Sequence, residues 1–123
     1  MSNRVLIVDC DSAAAAATAQ LLTGAGYLLD VSDSFEDAIR QVARRCPDLL
    51  VTAVRLGQFN GFHLVIRCRS QHPSLPIVMT GDPSEAGLSG EAEQYGVRFV
   101  DKATEPGRFV RLIDELLAGP LPA

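Results

Sequence analysis

The chain has 123 residues, a formal net charge of −4, 47% hydrophobic residues and 21% charged ones. That length suits one domain, and the composition supplies a buried core and excludes the disordered class. The acidic balance, with no Lys/Arg run, excludes an electrostatic footprint for nucleic acid, so no direct nucleic-acid binding is expected. No apolar run reaches the roughly 18 residues of a membrane span. Met1–Arg4 leads straight into a short apolar strand rather than into a signal segment, so the expected location is cytoplasmic, with no membrane partner.

Val5-Leu6-Ile7-Val8 is continuously apolar, as a strand covered on both faces must be. Ser12 is the expected cap of a helix running through Ala13–Ala17 to Leu21 and Leu22, ended by Gly24 and Gly26. Leu28, Leu29 and Val31 mark a second strand. Ser34, three residues before Asp37, starts a second helix with a stripe of Phe35, Ala38, Ile39, Val42 and Cys46, stopped by Pro47. Leu49-Leu50-Val51 begins the third strand. Leu64, Val65 and Cys68 form the inner face of a third helix ending before Pro73, and Pro76-Ile77-Val78-Met79 is the fourth strand. Ser84–Tyr95 reads as a fourth helix weakened by Gly87 and Gly90, each costing up to about 1 kcal/mol relative to alanine. Phe99 and Val100 form the fifth strand. Phe109, Leu112, Ile113, Leu116 and Leu117 stripe the last helix, so residues 1–118 make the domain and Gly119–Ala123 a tail or linker start.

Five strand–helix units in succession predict an α/β fold: a five-stranded parallel sheet, doubly wound, with helices on both faces and its crevice at the carboxyl ends of the strands. Those ends carry Asp9-Cys10-Asp11, Thr52-Ala53-Val54, Thr80-Gly81-Asp82 and Val100-Asp101-Lys102. Carboxylates, a hydroxyl and an ammonium converging at one mouth make a site for a divalent cation and a phosphoryl group. Cys10, Cys46 and Cys68 form no Cys-x-x-Cys pair and there are only two histidines, His63 and His72, so no structural zinc is expected and the thiols read as reduced and partly buried.

Over nearly its whole length the sequence resembles the receiver domains of response regulators, which have the flavodoxin-like (βα)5 fold. The resemblance rests on Val5–Asp11, Pro47–Val51, Arg55-Leu56 before Asn60-Gly61-Phe62, Pro76–Thr80 and Phe99–Lys102, in that order and spacing. It implies an acid pair after the first strand, where Asp9 is kept but Cys10 replaces the second acid. It implies a phosphoacceptor aspartate at the end of the third strand, where Ala53 stands. Both lost acids would contact magnesium directly, while Asp9 would act mostly through water, so no metal and no other cofactor is expected. Asp11 is displaced by one residue and points elsewhere. Thr80 and Lys102 are kept, Phe99 occupies the aromatic switch position, and Ala103 replaces the usual proline, so the Lys102–Ala103 peptide is expected trans.

Plainer readings stand beside these. Asp9 and Asp11 can also be read as helix-start acids, Cys10 as an inert thiol ahead of a redox-sensing one, Thr80 as a turn cap and Lys102 as a partner of Asp9 or Asp101. His63 and His72, and Arg67 and Arg69 with Arg55, read as solvated surface. Three functions follow. The first is a phosphorylation-independent pseudo-receiver, not an enzyme, that binds a protein partner or its own second copy through the fourth helix, fifth strand and fifth helix. The second is a phosphorelay receiver with a substitute acceptor, Asp48 or Thr52. The third is the receiver part of a longer transcription factor or signalling enzyme.

Overall fold

The computed structural model describes residues 3–102 and 104–118. Five parallel strands form one sheet: β1 (Arg4–Val8), β2 (Leu28–Ser32), β3 (Leu49–Ala53), β4 (Ile77–Gly81) and β5 (Arg98–Asp101). Their order is β2-β1-β3-β4-β5, the doubly wound arrangement that the strand–helix alternation predicts. The helices are α1 (Ser12–Gly24), α2 (Phe35–Arg44), α3 (Gly61–Gln71), α4 (Ser89–Gln94) and α5 (Pro106–Ala118). A two-residue antiparallel ribbon, Arg55–Leu56 with Phe59–Asn60, links β3 to α3. The expected tail at Gly119–Ala123 and the Lys102–Ala103 peptide lie outside the described residues.

Strand alternation divides the core into two layers. Val5, Ile7, Leu49, Val51 and Val78 pack against Ala15 and Leu22 of α1 and Phe109 and Ile113 of α5. Leu6, Val8, Leu50, Ile77 and Met79 face Phe35, Ala38 and Val42 of α2, Leu64, Val65 and Cys68 of α3, and Ala92 of α4. Side chains this deeply buried each contribute about 1.5–3 kcal/mol of apolar transfer, so the two layers fix the strand register. The edge strand β2 is covered least, leaving Leu28 and Val31 nearly half exposed.

Three local expectations are corrected. The cap of α1 is Asp11, not Ser12: its backbone is extended, and its carboxylate accepts the N–H groups of Ala13 and Ala14. Cys46 is not on the stripe of α2. The residue before a proline is pushed out of the helical region, so the helix ends at Arg44 and Cys46 is exposed. The fourth helix does not span Ser84–Tyr95. Pro83–Leu88 is a 3-10 segment and α4 covers only Ser89–Gln94, with no side-chain cap and Ala92 alone as its buried residue. Gly87 and Gly90 face open space, where a Cβ would touch nothing, so their cost to the segment is the backbone freedom that a glycine loses on folding.

Candidate functional site

The register carries chemistry to one end of the sheet. β1 ends at Val8 and presents Asp9, whose N–H donates to the Ser32 carbonyl at 3.0 Å, tying it to the end of β2. The Asp9 side chain is only 8% exposed; its Oδ2 lies 3.4 Å from Lys102 Nζ. Its Oδ1 accepts the Asp11 N–H at 2.9 Å. Lys102 follows β5 and is held there by its own N–H, which donates to the Gly81 carbonyl at 2.8 Å. Thr80 sits beside Ala53 across the β3–β4 pairing, and its carbonyl accepts the Val54 N–H. Asp9, Thr80 and Lys102 line one cavity at this mouth.

The remaining predicted residues are placed differently. Ala53 is buried at the carboxyl end of the central strand and presents a methyl group there. The chain folds back on it: Gly61 N–H donates to Val54 O at 2.7 Å, and a Cβ at Gly61 would stand 2.5 Å from the Ala53 carbonyl oxygen. Cys10 is exposed, with its thiol directed at the Arg55 carbonyl 3.5 Å away. Asp11 is committed to capping α1. The Phe99 ring is half-buried over Gly81, where a Cβ would meet ring atoms at 2.8 and 3.0 Å and Val54 Cγ2 at 3.2 Å. Two of the plainer readings are arrangements found here: Asp11 at the start of α1 and the pairing of Lys102 with Asp9.

Sequence reasoning missed the strap over this mouth. Glu85 Oε1 accepts the Asp82 N–H at 2.9 Å, and its Oε2 takes Arg55 Nε at 3.0 Å, joining the β3–α3 ribbon to the segment after β4. The Asp82 amide, then the Arg55 guanidinium and the Lys102 ammonium, hold the Glu85 carboxyl below its usual range despite partial burial. The signal was present, because Asp82-x-x-Glu85 is the spacing with which a glutamate reaches back to the N–H at the start of a helical segment. The turn is thus closed by Glu85 rather than by Thr80.

Besides Arg55, two more residues read as plain solvated surface have structural roles. His63 is exposed, yet its Nδ1 accepts the Asn60 N–H in a reciprocal cap of α3. Arg69 spends its donors on the carbonyls of Leu75, Tyr95 and Gly96, clamping α3 to the turn before β5. Among the described residues no group of three or more His, Cys, Asp or Glu is placed to hold a metal ion. No helix among them is long and apolar enough to cross a membrane.

The family model of the response regulator receiver domain matches residues 5–114. The DNA-binding transcriptional regulator NtrC of Klebsiella pneumoniae is 26% identical over 113 residues, covering 91% of this chain and 24% of that protein. The response regulator MprA of Mycobacterium ulcerans is 32% identical over 100 residues, 77% of this chain and 43% of that one. The chain therefore spans about a quarter of the first NtrC relatives. Among solved structures, a putative response regulator from Chloroflexus aurantiacus superposes with a TM-score of 0.89 at 31% identity, covering 96% of this chain and 99% of the other. A CheY-like receiver domain from Methanospirillum hungatei superposes with a TM-score of 0.87 at 21% identity, covering 96% and 95%, which shows the same fold. With its 2-1-3-4-5 parallel sheet and this match along most of its length, the chain belongs to the response regulator receiver domain family of two-component signalling.

Proposed function

We propose that this receiver domain works without phosphorylation, as a protein-interaction module held in one conformational state. The observation that carries the reading is Ala53. At the carboxyl end of the central strand, where the family resemblance puts the acceptor carboxylate, there is a buried methyl group with no nucleophile. The substitute acceptors fit poorly. Thr52 is fully buried with its hydroxyl donating to the Ala53 carbonyl, and Asp48 accepts the Arg4 N–H at the entrance of β3, the opposite end of the sheet.

The magnesium ion that the family implies does not fit the residues present. A hard cation of this kind asks for about six oxygens, several from carboxylates. At the three positions that the resemblance implies for the ion, this mouth offers the Asp9 carboxylate, already engaged by Lys102, an exposed thiol and a methyl group. Without a phosphoryl group or a metal, nothing supplies differential binding energy between two positions of Thr80 and Phe99. The Arg55–Glu85 strap and the seat of Phe99 over Gly81 favour a single arrangement instead.

The surface we assign to the partner, a different protein or a second copy of this chain, comprises α4, β5 and α5. Phe99 lies within it, and Tyr95 is 37% exposed while stacking obliquely on Phe62. Aromatic area of this kind favours association, and an α4 buried only through Ala92 can adjust to a partner. The coverage of longer relatives supports placing this module inside a larger signalling protein or transcription factor.

Intact-mass spectrometry after incubation with acetyl phosphate and magnesium tests the central claim. The expected spectrum contains no phosphoryl adduct, and a labile adduct on the native chain refutes it. Hydrogen exchange tests the surface: residues 83–94 are expected to exchange fast alone and slow down on association. Protection confined to α1 and α2 moves the surface elsewhere.

A further inference from the structure

Between α1 and α5, beside the carboxyl ends of β1 and β5, lies a cavity of about 600 Å³. Its origin is legible in α1, which carries alanine at positions 13–17 and no charged residue from Ser12 to Gly24. Short side chains on that helix leave space that Ala14, Ala17, Leu21 and Phe109 line with carbon. Cavities of roughly 300–1,000 Å³ with apolar walls and a few convergent polar groups are the usual form of small-molecule sites. This one shares Asp9, Thr80 and Lys102 with the mouth described above but is lined by neither Ala53 nor Cys10. It therefore stands independently of the proposed loss of the phosphoacceptor.

The polar end has a defined sign. Asp9 and Asp101 are the acids that line it and Lys102 is the base, leaving one net negative charge. The Asp9 carboxylate is nine-tenths buried, and it holds one backbone amide and one ammonium, the latter at 3.4 Å. A carboxylate has about four acceptor positions, so Asp9 retains capacity for a further donor at the cavity wall.

We propose that this cavity binds a small organic amine, with an apolar ring system against Ala14, Ala17, Leu21 and Phe109 and a protonated nitrogen donating to Asp9. An anionic ligand would meet two carboxylates for one ammonium. A neutral ligand would gain the apolar contacts without the charge-assisted hydrogen bond.

Amide-resolved NMR titration with three probes of similar size tests this: tryptamine, tryptophol and indole-3-acetate. Tryptamine is expected to shift the amides of Ala14, Ala17, Val100 and Phe109 saturably. Tryptophol is expected to bind about tenfold more weakly, and indole-3-acetate not at all. Ala17 is an exposed helical position, so Ala17→Leu keeps the fold while filling the cavity, and it is expected to weaken tryptamine about tenfold. Asp9→Asn is expected to remove the preference for tryptamine over tryptophol. Equal shifts with all three probes, no saturable shift with any, or unchanged tryptamine affinity in a folded Ala17→Leu protein would each overturn the proposal.

Discussion

Gly81→Ala tests whether Phe99 is seated where the structure places it. A Cβ at position 81 meets Phe99 Cζ at 2.8 Å, Phe99 Cε2 at 3.0 Å and Val54 Cγ2 at 3.2 Å. Overpacking of this kind costs about 1–3 kcal/mol. Replacing glycine returns about 0.4–1 kcal/mol by restricting the unfolded chain. The ring is only half-buried, so it can also swing outward, giving up part of the roughly 1.5–3 kcal/mol that a fully buried phenylalanine contributes. Both routes leave a net destabilisation of about 1–2 kcal/mol. The obstacle is mainly the ring, so the penalty should nearly vanish when Phe99 is already alanine, where only the Val54 methyl remains in the way. Urea unfolding followed by far-UV circular dichroism on the native chain, Gly81→Ala, Phe99→Ala and the double variant measures the coupling. The expected coupling is about 1 kcal/mol or more, above the roughly 0.5 kcal/mol scatter of independent sites. If Gly81→Ala costs the same in both backgrounds within that scatter, the ring does not occupy this seat.

Other perturbations test other parts of the structure. Gly61→Ala places its Cβ 2.5 Å from the Ala53 carbonyl oxygen and 2.9 Å from Met79 Cε. A backbone carbonyl cannot swing away, so the loss should reach about 3 kcal/mol, the upper end of overpacking, and exceed that of Gly81→Ala in the same urea assay. Burial and the neighbouring Asp114 carboxylate, which accepts the Tyr27 hydroxyl, push the Tyr27 phenol from 10.0 up to about 12. A raised folded-state pKa favours the protonated phenol, so its stabilisation is complete below pH 10 and is lost as pH rises through about 12. Ultraviolet titration should resolve one late tyrosine, and Tyr27→Phe should remove it and flatten the alkaline fall in stability. Cys10→Asp combined with Ala53→Asp should create saturable magnesium-dependent amide shifts that the native chain lacks at millimolar ion. Without magnesium, this double variant should be less stable because like charges crowd Asp9.

The amino-acid sequence by itself determined the layer plan and the end of the sheet where the chemistry gathers. Continuous apolar runs such as Val5–Val8 and Leu49–Val51 can be satisfied only by strands covered on both faces, and helical stripes between them supply the cover. Parallel connections then bring Asp9, Thr80 and Lys102 to the same edge without further information. Periodicity reports which face of an element is buried, but not which atom it touches. Whether Asp11 or Ser12 capped α1 depended on backbone angles that either residue could adopt. That Pro83–Gln94 splits into a 3-10 segment and a short helix depended on how little the rest of the fold offers it to pack against. The Arg55–Glu85 strap joins residues 30 positions apart, Phe99 lies over Gly81 where a Cβ would collide with its ring, and the cavity between α1 and α5 forms where Ala14 and Ala17 present short side chains. These features were decided by tertiary structure alone, because each depends on distances between segments that only the packed sheet brings together.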